Sequence, residues 1–403
     1  MRTTRTDLTF KHNLKRNRHG WLRLTPAYSV KVVNDILDQH PHLCRILDPF
    51  SGTGTTALVA AERGGWCDAF DINPFLIWLG SVKTCHYDPL VIAHAHSLAD
   101  EVRKTALTLL SADDLWVPSI HNIARWWSVD AIQALSCLYA AIKRVSAGAD
   151  DARNLLLIAF CQKVIAWSNA AFNHQSMSFK DHSDPGLTLL HVQDMIHDFY
   201  ASVENILESA QMPLSGTARF QLADARAVPP PNPLYDCVIT SPPYPNRMSY
   251  IRELRPYMYW LEYLTNAQQA GELDWQAIGG TWGIATSRVA HWTSAGSAFE
   301  SDHLQAVVES IAAHSQVLAK YVHKYFVDMS VHFESLFPAV APFGKIFYVV
   351  GNSKFYDTLV PVEHLYAVMM EGAGFQNISI VPLRKRSSKK ELFEYLITAE
   401  KPA

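Results

Sequence analysis

A Rossmann-like α/β fold, a parallel sheet flanked by helices and broken by two insertions, is what this chain predicts on three observations. A short apolar strand at 46–48 runs into a glycine turn and an Ala-rich helix. A second apolar strand, 236–240, ends in a Ser-Pro-Pro-Tyr corner. Strand and helix patterns recur to the end of the 403 residues, long enough to bury a substantial core and exceed one minimal domain.

The first unit reads Ile46-Leu47-Asp48, then Pro49-Phe50-Ser51-Gly52-Thr53-Gly54-Thr55-Thr56, then Ala57-Leu58-Val59-Ala60-Ala61. Its turn lets a ligand approach both the backbone and a helix N-terminus. The next strand, Trp66 to Phe70, ends at Asp71, an acid placed to accept hydrogen bonds from a ribose diol or to cap the helix opening Asn73-Pro74. The turn lacks the third glycine of the dinucleotide pattern and any Gly-Lys-Ser/Thr. That disfavours a nicotinamide cofactor and a nucleoside triphosphate.

From 87 to 214 the pattern is helical, over Leu90 to Leu110, Val129 to Val145, Leu155 to Ser168 and Leu189 to Leu207, with almost no strand signal. This predicts a helical insertion between the second and third core strands. Val228-Pro229-Pro230-Pro231-Asn232-Pro233 is a rigid connector to the fourth strand. A helical pattern follows from Ser249 to Thr265, on which Tyr250, Arg252, Glu253 and Arg255 read as a solvated face. The stretch 266–300 carries Trp275, Trp282 and Trp292 among Gly, Ser and Thr and reads as a long loop before a long helix from Asp302 to Leu336. Strand 345–350, helix 362–373 and a hairpin of 376–383 with 392–399 close the core. The organisation is therefore 1–86 core, 87–214 helical insertion, 215–265 core with the Ser-Pro-Pro-Tyr corner, 266–340 loop and helix, and 341–403 terminal core strands.

The corner carries the chemistry. Pro242 and Pro243 fix φ and remove two backbone donors, so carbonyl oxygens face whatever lies beyond the strand. Ser241 adds an acceptor and Tyr244 a flat face. Together they suit a planar ring bearing an exocyclic amine, as in a nucleobase.

With these motifs the chain resembles the S-adenosylmethionine-dependent DNA amino-methyltransferases. Their Asp-Pro-Phe-x-Gly-x-Gly motif is matched by Asp48, Pro49, Phe50, Gly52 and Gly54, their ribose acid by Asp71, and their catalytic (Asp/Asn/Ser)-Pro-Pro-(Tyr/Phe) by Ser241 through Tyr244. The segment His19 to Ser29, with Thr25, is similar to the family element holding the methionine end of the cofactor, and Asp224 to the acid near its adenine. The resemblance covers 15–83, 218–265 and 343–400. It implies a class I methyltransferase sheet with a reversed terminal strand, S-adenosylmethionine as cofactor and double-stranded DNA as substrate. It also implies a cognate restriction endonuclease acting on the same site. The glycine motif precedes the catalytic one, unlike the permuted members. Serine at the first catalytic position is more typical of cytosine-N4 enzymes; adenine-N6 methylation, RNA base methylation and a non-catalytic nucleic-acid-binding module are the alternatives. No Pro-Cys dipeptide is present, which argues against carbon-5 cytosine chemistry.

Composition limits the partners. A net charge of -3 excludes wholesale coating of nucleic acid. Basic residues nevertheless cluster at Arg2, Arg5, Lys11, Lys15, Arg16, Arg18 and Arg23 and at Arg384, Lys385, Arg386, Lys389 and Lys390, where they suit phosphates. Asn169, Asn173, His174, Gln175, Ser176, Ser178 and Lys180 are types that read base edges or phosphates. Cys44, Cys67, Cys85, Cys137, Cys161 and Cys237 lack a Cys-x-x-Cys pair and read as buried thiols in a reducing compartment. His19, His174 and His182 have no ligand spacing, so no metal is expected. Without a secretory signal or a membrane-spanning run, the expected location is cytoplasmic.

Overall fold

The computed structural model describes residues 6–23, 27–171, 178–179, 191–246, 248–281, 283–294, 299, 301–386 and 391–403. Arg2, Arg5, Thr25, Asn173, His174, Gln175, Ser176, Lys180, His182, Trp282, Lys389 and Lys390 lie outside the described residues.

Among the described residues the main sheet has seven strands: β1 (Arg45–Asp48), β2 (Trp66–Asp71), β3 (Thr217–Leu222), β4 (Tyr235–Thr240), β5 (Val340–Gly351), β6 (Gln376–Lys385) and β7 (Phe393–Glu400), in the order β6-β7-β5-β4-β1-β2-β3. The pairs β1·β2, β1·β4, β2·β3 and β4·β5 are parallel; β7 runs antiparallel to β5 and β6. This is the expected class I methyltransferase sheet with its reversed terminal strand. Strand order reverses between β1 and β4, and in an open α/β sheet that switch point opens a crevice at the carboxyl ends of the strands. Both sequence motifs leave the sheet there.

Alternation places the core. On β5, Phe347 and Val349 pack with Ile239, Cys237 and the helix α1 (Val30–Gln39), while Ile346, Tyr348 and Val350 face the opposite layer. That layer is built largely by one long helix, Gln316–Leu336, through Phe326, Met329 and Phe333, together with Leu365 and Tyr366 of helix Val362–Gly372.

The stretch between β2 and β3 carries four long helices, Pro89–Thr108, Val129–Val145, Asp150–Ala166 and Val192–Ala210, with a pair of two-residue strands. They form a core with Trp126, Trp127, Phe160 and the helix Tyr250–Trp260, which follows the Ser-Pro-Pro-Tyr corner. Pro256 sits inside that helix, and the Arg252 carbonyl that it leaves without a helical donor accepts from Arg255 Nε at 3.2 Å. Arg18 stitches insertion to core. Its guanidinium is buried and donates to the carbonyls of Lys83, Cys85, Ala210 and Met212, so it is not available to phosphates as its place in a basic cluster predicts.

Four further expectations change. The helix predicted over Asp302–Leu336 is two, Asp302–Ala312 and Gln316–Leu336, because Ser315 accepts from the Leu318 N–H and restarts the chain as an N-cap. The predicted loop 266–300 holds helices Ala267–Gln276 and Ile284–His291, the first capped by Asn266 accepting from Gln269 N–H. Asn169 is buried, with its N–H on the Trp126 carbonyl, and does not present a base-reading edge. Among the thiols, Cys44 is exposed and Cys85 half-exposed rather than buried.

Candidate active site

Asp48 ends β1 with its side chain wholly buried. One carboxyl oxygen accepts from Phe50 N–H (3.2 Å) and from the Thr240 hydroxyl (2.6 Å); the other has no partner. Burial pushes this carboxyl up to about 6, against the hydrogen bonds from Thr240 and Phe50. Since Thr240 immediately precedes Ser241, the bond ties the start of the glycine turn to the start of the catalytic corner. The Thr56 hydroxyl repeats the tie by donating to the Ile239 carbonyl at 3.0 Å.

The two glycines do different work. Gly52 adopts φ +48°, and a Cβ there would meet open space, so its backbone faces the crevice. Gly54, at φ +74°, caps the helix Thr55–Glu62, and a Cβ would press on the Phe220 ring at 3.1 Å and on Gly80 at 3.5 Å. Gly54 is therefore a packing glycine behind the turn. Asp71 binds the turn from below: Oδ2 accepts from Gly52 N–H (3.0 Å) and Oδ1 from Asn73 N–H (2.8 Å). Burial raises it to about 6 despite those bonds. The next helix is capped by Asn73, which accepts from Phe75 N–H, not by Asp71. From behind, the buried Lys83 ammonium donates to Thr53 O at 2.9 Å and is lowered to about 7 by burial, with Glu62 opposing. Sequence reading missed Lys83, and a lone lysine on an apolar helix offers no signal.

At the corner, Ser241 Oγ donates to the Val349 carbonyl of β5 at 3.0 Å. Its proton is thereby committed, and its lone pairs remain as acceptors. The Pro243 carbonyl is taken by the Tyr325 hydroxyl at 2.8 Å, itself 2.6 Å from Tyr366 Oη. Among the described residues no donor reaches the Pro242 carbonyl. Tyr250 Oη accepts from Tyr244 N–H at 3.4 Å and lines the crevice, and Glu253 is buried and pushed up to about 7. Neither belongs to a solvated face.

The third side comes from beyond β3. Asp224 accepts from Arg226, whose guanidinium also bridges to Asp328 at 3.0 Å and to the Gln276 carbonyl at 2.8 Å. Burial would raise Asp224, but Arg226 outweighs it and holds the carboxyl below its ordinary value. Buried His332 bridges the Ala225 carbonyl and Tyr348 Oη, and its ring packs 4.9 Å from that of Phe50.

These elements form one crevice, open to solvent and lined by Phe50, Gly52, Asp71, Asp224, Ser241, Pro242, Pro243 and Tyr244. Eight of the eleven residues picked out by sequence thus share it. Asp48 and Gly54 stand behind its wall, and Thr25 lies outside the described residues, although Ala27 and Tyr28 line the same space. Also on the wall are Ser51, Tyr250 and the 276–278 segment, which sequence reading did not assign to the site.

The crevice suits a ligand with a polar tail, a diol and a flat ring. The Ser51 hydroxyl is buried there without a partner, Gly52 leaves a cradle that a Cβ would fill, and Asp71 keeps lone pairs beyond its two backbone bonds. No family model matches the chain. Three characterised proteins are similar to it across most of their length. Type II methyltransferase M.BsoBI of Geobacillus stearothermophilus is 22% identical over 96% of this chain and 85% of its own. M.AvaI of Nostoc is 21% identical over 96% and 86%, and M.MvaI of Kocuria varians 21% over 80% and 73%. This similarity supports an S-adenosylmethionine-dependent DNA amino-methyltransferase. The similarity to this methyltransferase group spans the helical stretch between β2 and β3 as well as the motifs. Among the described residues no group of His, Cys, Asp and Glu is arranged to hold a metal, and no helix is long and apolar enough to cross a membrane.

Proposed function

We propose that the chain methylates the exocyclic amine of a base turned out of duplex DNA at a specific site, and that the base is cytosine, modified at N4. The observation that carries this reading is Ser241, with its proton held by Val349, the Tyr244 hydroxyl 3.5 Å away and acceptor capacity remaining, in one crevice with Gly52 and Asp71. S-adenosylmethionine, when bound, supplies an activated methyl group. Gly52 and Ser51 meet its polar tail, Asp71 accepts from the ribose hydroxyls, and Phe50 and Asp224 flank its adenine. An aromatic amine is a weak nucleophile because its lone pair is shared with the ring; Ser241 Oγ and the Pro242 carbonyl accept hydrogen bonds from its N–H groups, which localises electron density on nitrogen. Alignment of donor and acceptor contributes on the order of 7–11 kcal/mol. The amine is out of reach inside a stacked duplex, so the base must leave it. Tyr244 replaces the lost stacking, worth roughly 1–3 kcal/mol.

The setting we infer is the cytoplasm, with host sites shielded from a cognate endonuclease. The test is to incubate purified protein with cofactor and mixed-sequence duplex DNA, digest, and identify the modified nucleoside by mass spectrometry. N4-methylcytosine is expected. Methyladenine alone would overturn the base assignment, and absence of any transferred methyl would overturn the reaction.

A further inference from the structure

Resting on that reading, the geometry points to Arg386 as a phosphodiester-binding residue. It would grip the DNA backbone beside the extruded nucleotide while its guanidinium steadies the Tyr244 ring.

Arg386 follows the last residue of β6, and its Cζ stands 4.9 Å from the Tyr244 ring centroid. It is anchored at one end only. Its backbone N–H donates to Leu392 O (2.8 Å) and Nη1 to Asn352 O (2.7 Å). Nε and Nη2 have no partner among the described residues.

Two described cations near it are neutralised. Arg384 makes a two-pronged pair with Glu394 at 2.6 and 2.7 Å, and Lys354 pairs with Glu391 at 2.8 Å. No described carboxylate pairs with Arg386, so a half-buried charge is left standing beside the catalytic aromatic. Burying part of a cation without a counter-charge is costly, and an anion brought by the substrate would offset that cost.

The local backbone leaves room for this arrangement. A Cβ on Gly351, the last residue of β5, would lie 2.5 Å from Arg386 Nη1 and 2.9 Å from Tyr244 Cε2, so glycine lets both side chains cross the end of that strand. Tyr244 lines the crevice and Arg386 does not, which puts the cation on the outer side of the ring. A base entering the crevice would meet the inner face, and its phosphates would remain at the rim, where the free edge of the planar guanidinium can take two oxygens.

The test compares wild type, Arg386→Gln and Arg386→Lys on a duplex containing the methylated site. DNA binding is measured across a salt series, with turnover and S-adenosylmethionine affinity measured in parallel. Arg386→Gln should lower the slope of log affinity against log salt by about one unit, the signature of one lost phosphate contact, and raise KM for DNA about tenfold. Arg386→Lys should keep the slope while kcat drops several-fold, because a lysine keeps the charge but not the flat stack. Cofactor affinity should stay unchanged in both. An unchanged slope in Arg386→Gln with only kcat reduced would overturn the phosphate contact, leave Arg386 as a brace for Tyr244, and leave the methyltransferase reading standing. Failure of the wild-type protein itself to methylate DNA would overturn both.

Discussion

The two walls of the crevice are stiffened by different means. The glycine turn is held mostly by nearby parts of the chain: Gly52 and Asn73 N–H groups share the Asp71 carboxylate, Ser51 N–H donates to the Phe70 carbonyl, and Lys83 clamps Thr53 from the helix that follows β2. The Ser-Pro-Pro-Tyr corner is held from far along the chain, by the Val349 carbonyl, the Tyr325–Tyr366 hydroxyl pair and the Arg386 guanidinium. Prolines make the corner rigid but remove donors, so it cannot brace itself through its own backbone. The wall of the glycine turn is thus largely self-supporting, whereas the wall of the diproline corner depends on the assembled C-terminal half.

The sharpest way to break this contrast is to remove one working group from each wall. Ser241→Ala removes an acceptor from the reacting amine and should cut kcat on the order of 10²–10³, the loss expected for one preorganised polar group, with cofactor binding retained. Tyr244→Ala should follow at roughly 5–150-fold in turnover, the equivalent of about 1–3 kcal/mol of stacking, again with cofactor affinity largely kept. Asp71→Ala should do the reverse, weakening cofactor binding roughly tenfold or more while DNA binding persists. Titration calorimetry with S-adenosylmethionine alongside single-turnover transfer reads both. Equal cofactor affinities in Tyr244→Ala and Asp71→Ala would erase the division of labour between the walls.

A milder substitution probes the remote supports. Tyr325→Phe leaves the Pro243 carbonyl and Tyr366 hydroxyl without their shared partner, costing about 1–3 kcal/mol of stability. It should slow transfer several-fold without shifting cofactor affinity. Loss of cofactor binding in this variant would mean that the corner and the turn are not separately supported.

The same contrast explains what was legible beforehand. The sheet, the glycine turn, Asp71 and the corner were readable because each is a contiguous run whose chemistry is local: a strand, a turn and a cap within a few residues. The places of Tyr250 and Lys83 at the site were not, because a tyrosine or lysine on a helix acquires its meaning only from what packs against it. Asp48 and Gly54 were readable as motif members but not as residues behind the wall. A motif gives the neighbours in sequence and is silent on which side chain turns inward. The break at Ser315 carried a usable signal, since Ser301 and Ser315 each accept from the N–H three residues on, yet the apolar period continues across it and hides the cap.

The smallest effect on activity belongs to the joint between the walls. Asp48 carries Thr240 on one oxygen and nothing on the other, in full burial, and its folded value of about 6 lies above its ordinary 3.8. In the folded protein the carboxyl keeps its proton up to about pH 6, whereas in the unfolded chain it has lost it by about pH 4. Between those values the unfolded state binds fewer protons, so this group lowers stability as pH rises from about 4 to about 6, and the cost, on the order of 3 kcal/mol, stays in place above that. Asp48→Asn keeps an oxygen for the Thr240 hydroxyl and removes the titration. Its kcat should stay within about threefold of wild type, because neither oxygen lines the crevice. Its urea midpoint, compared with wild type from pH 4 to pH 7, should gain steadily up to pH 6 and then run parallel. Parallel profiles throughout would mean that the carboxyl titrates normally and that the tie between turn and corner does not strain the fold.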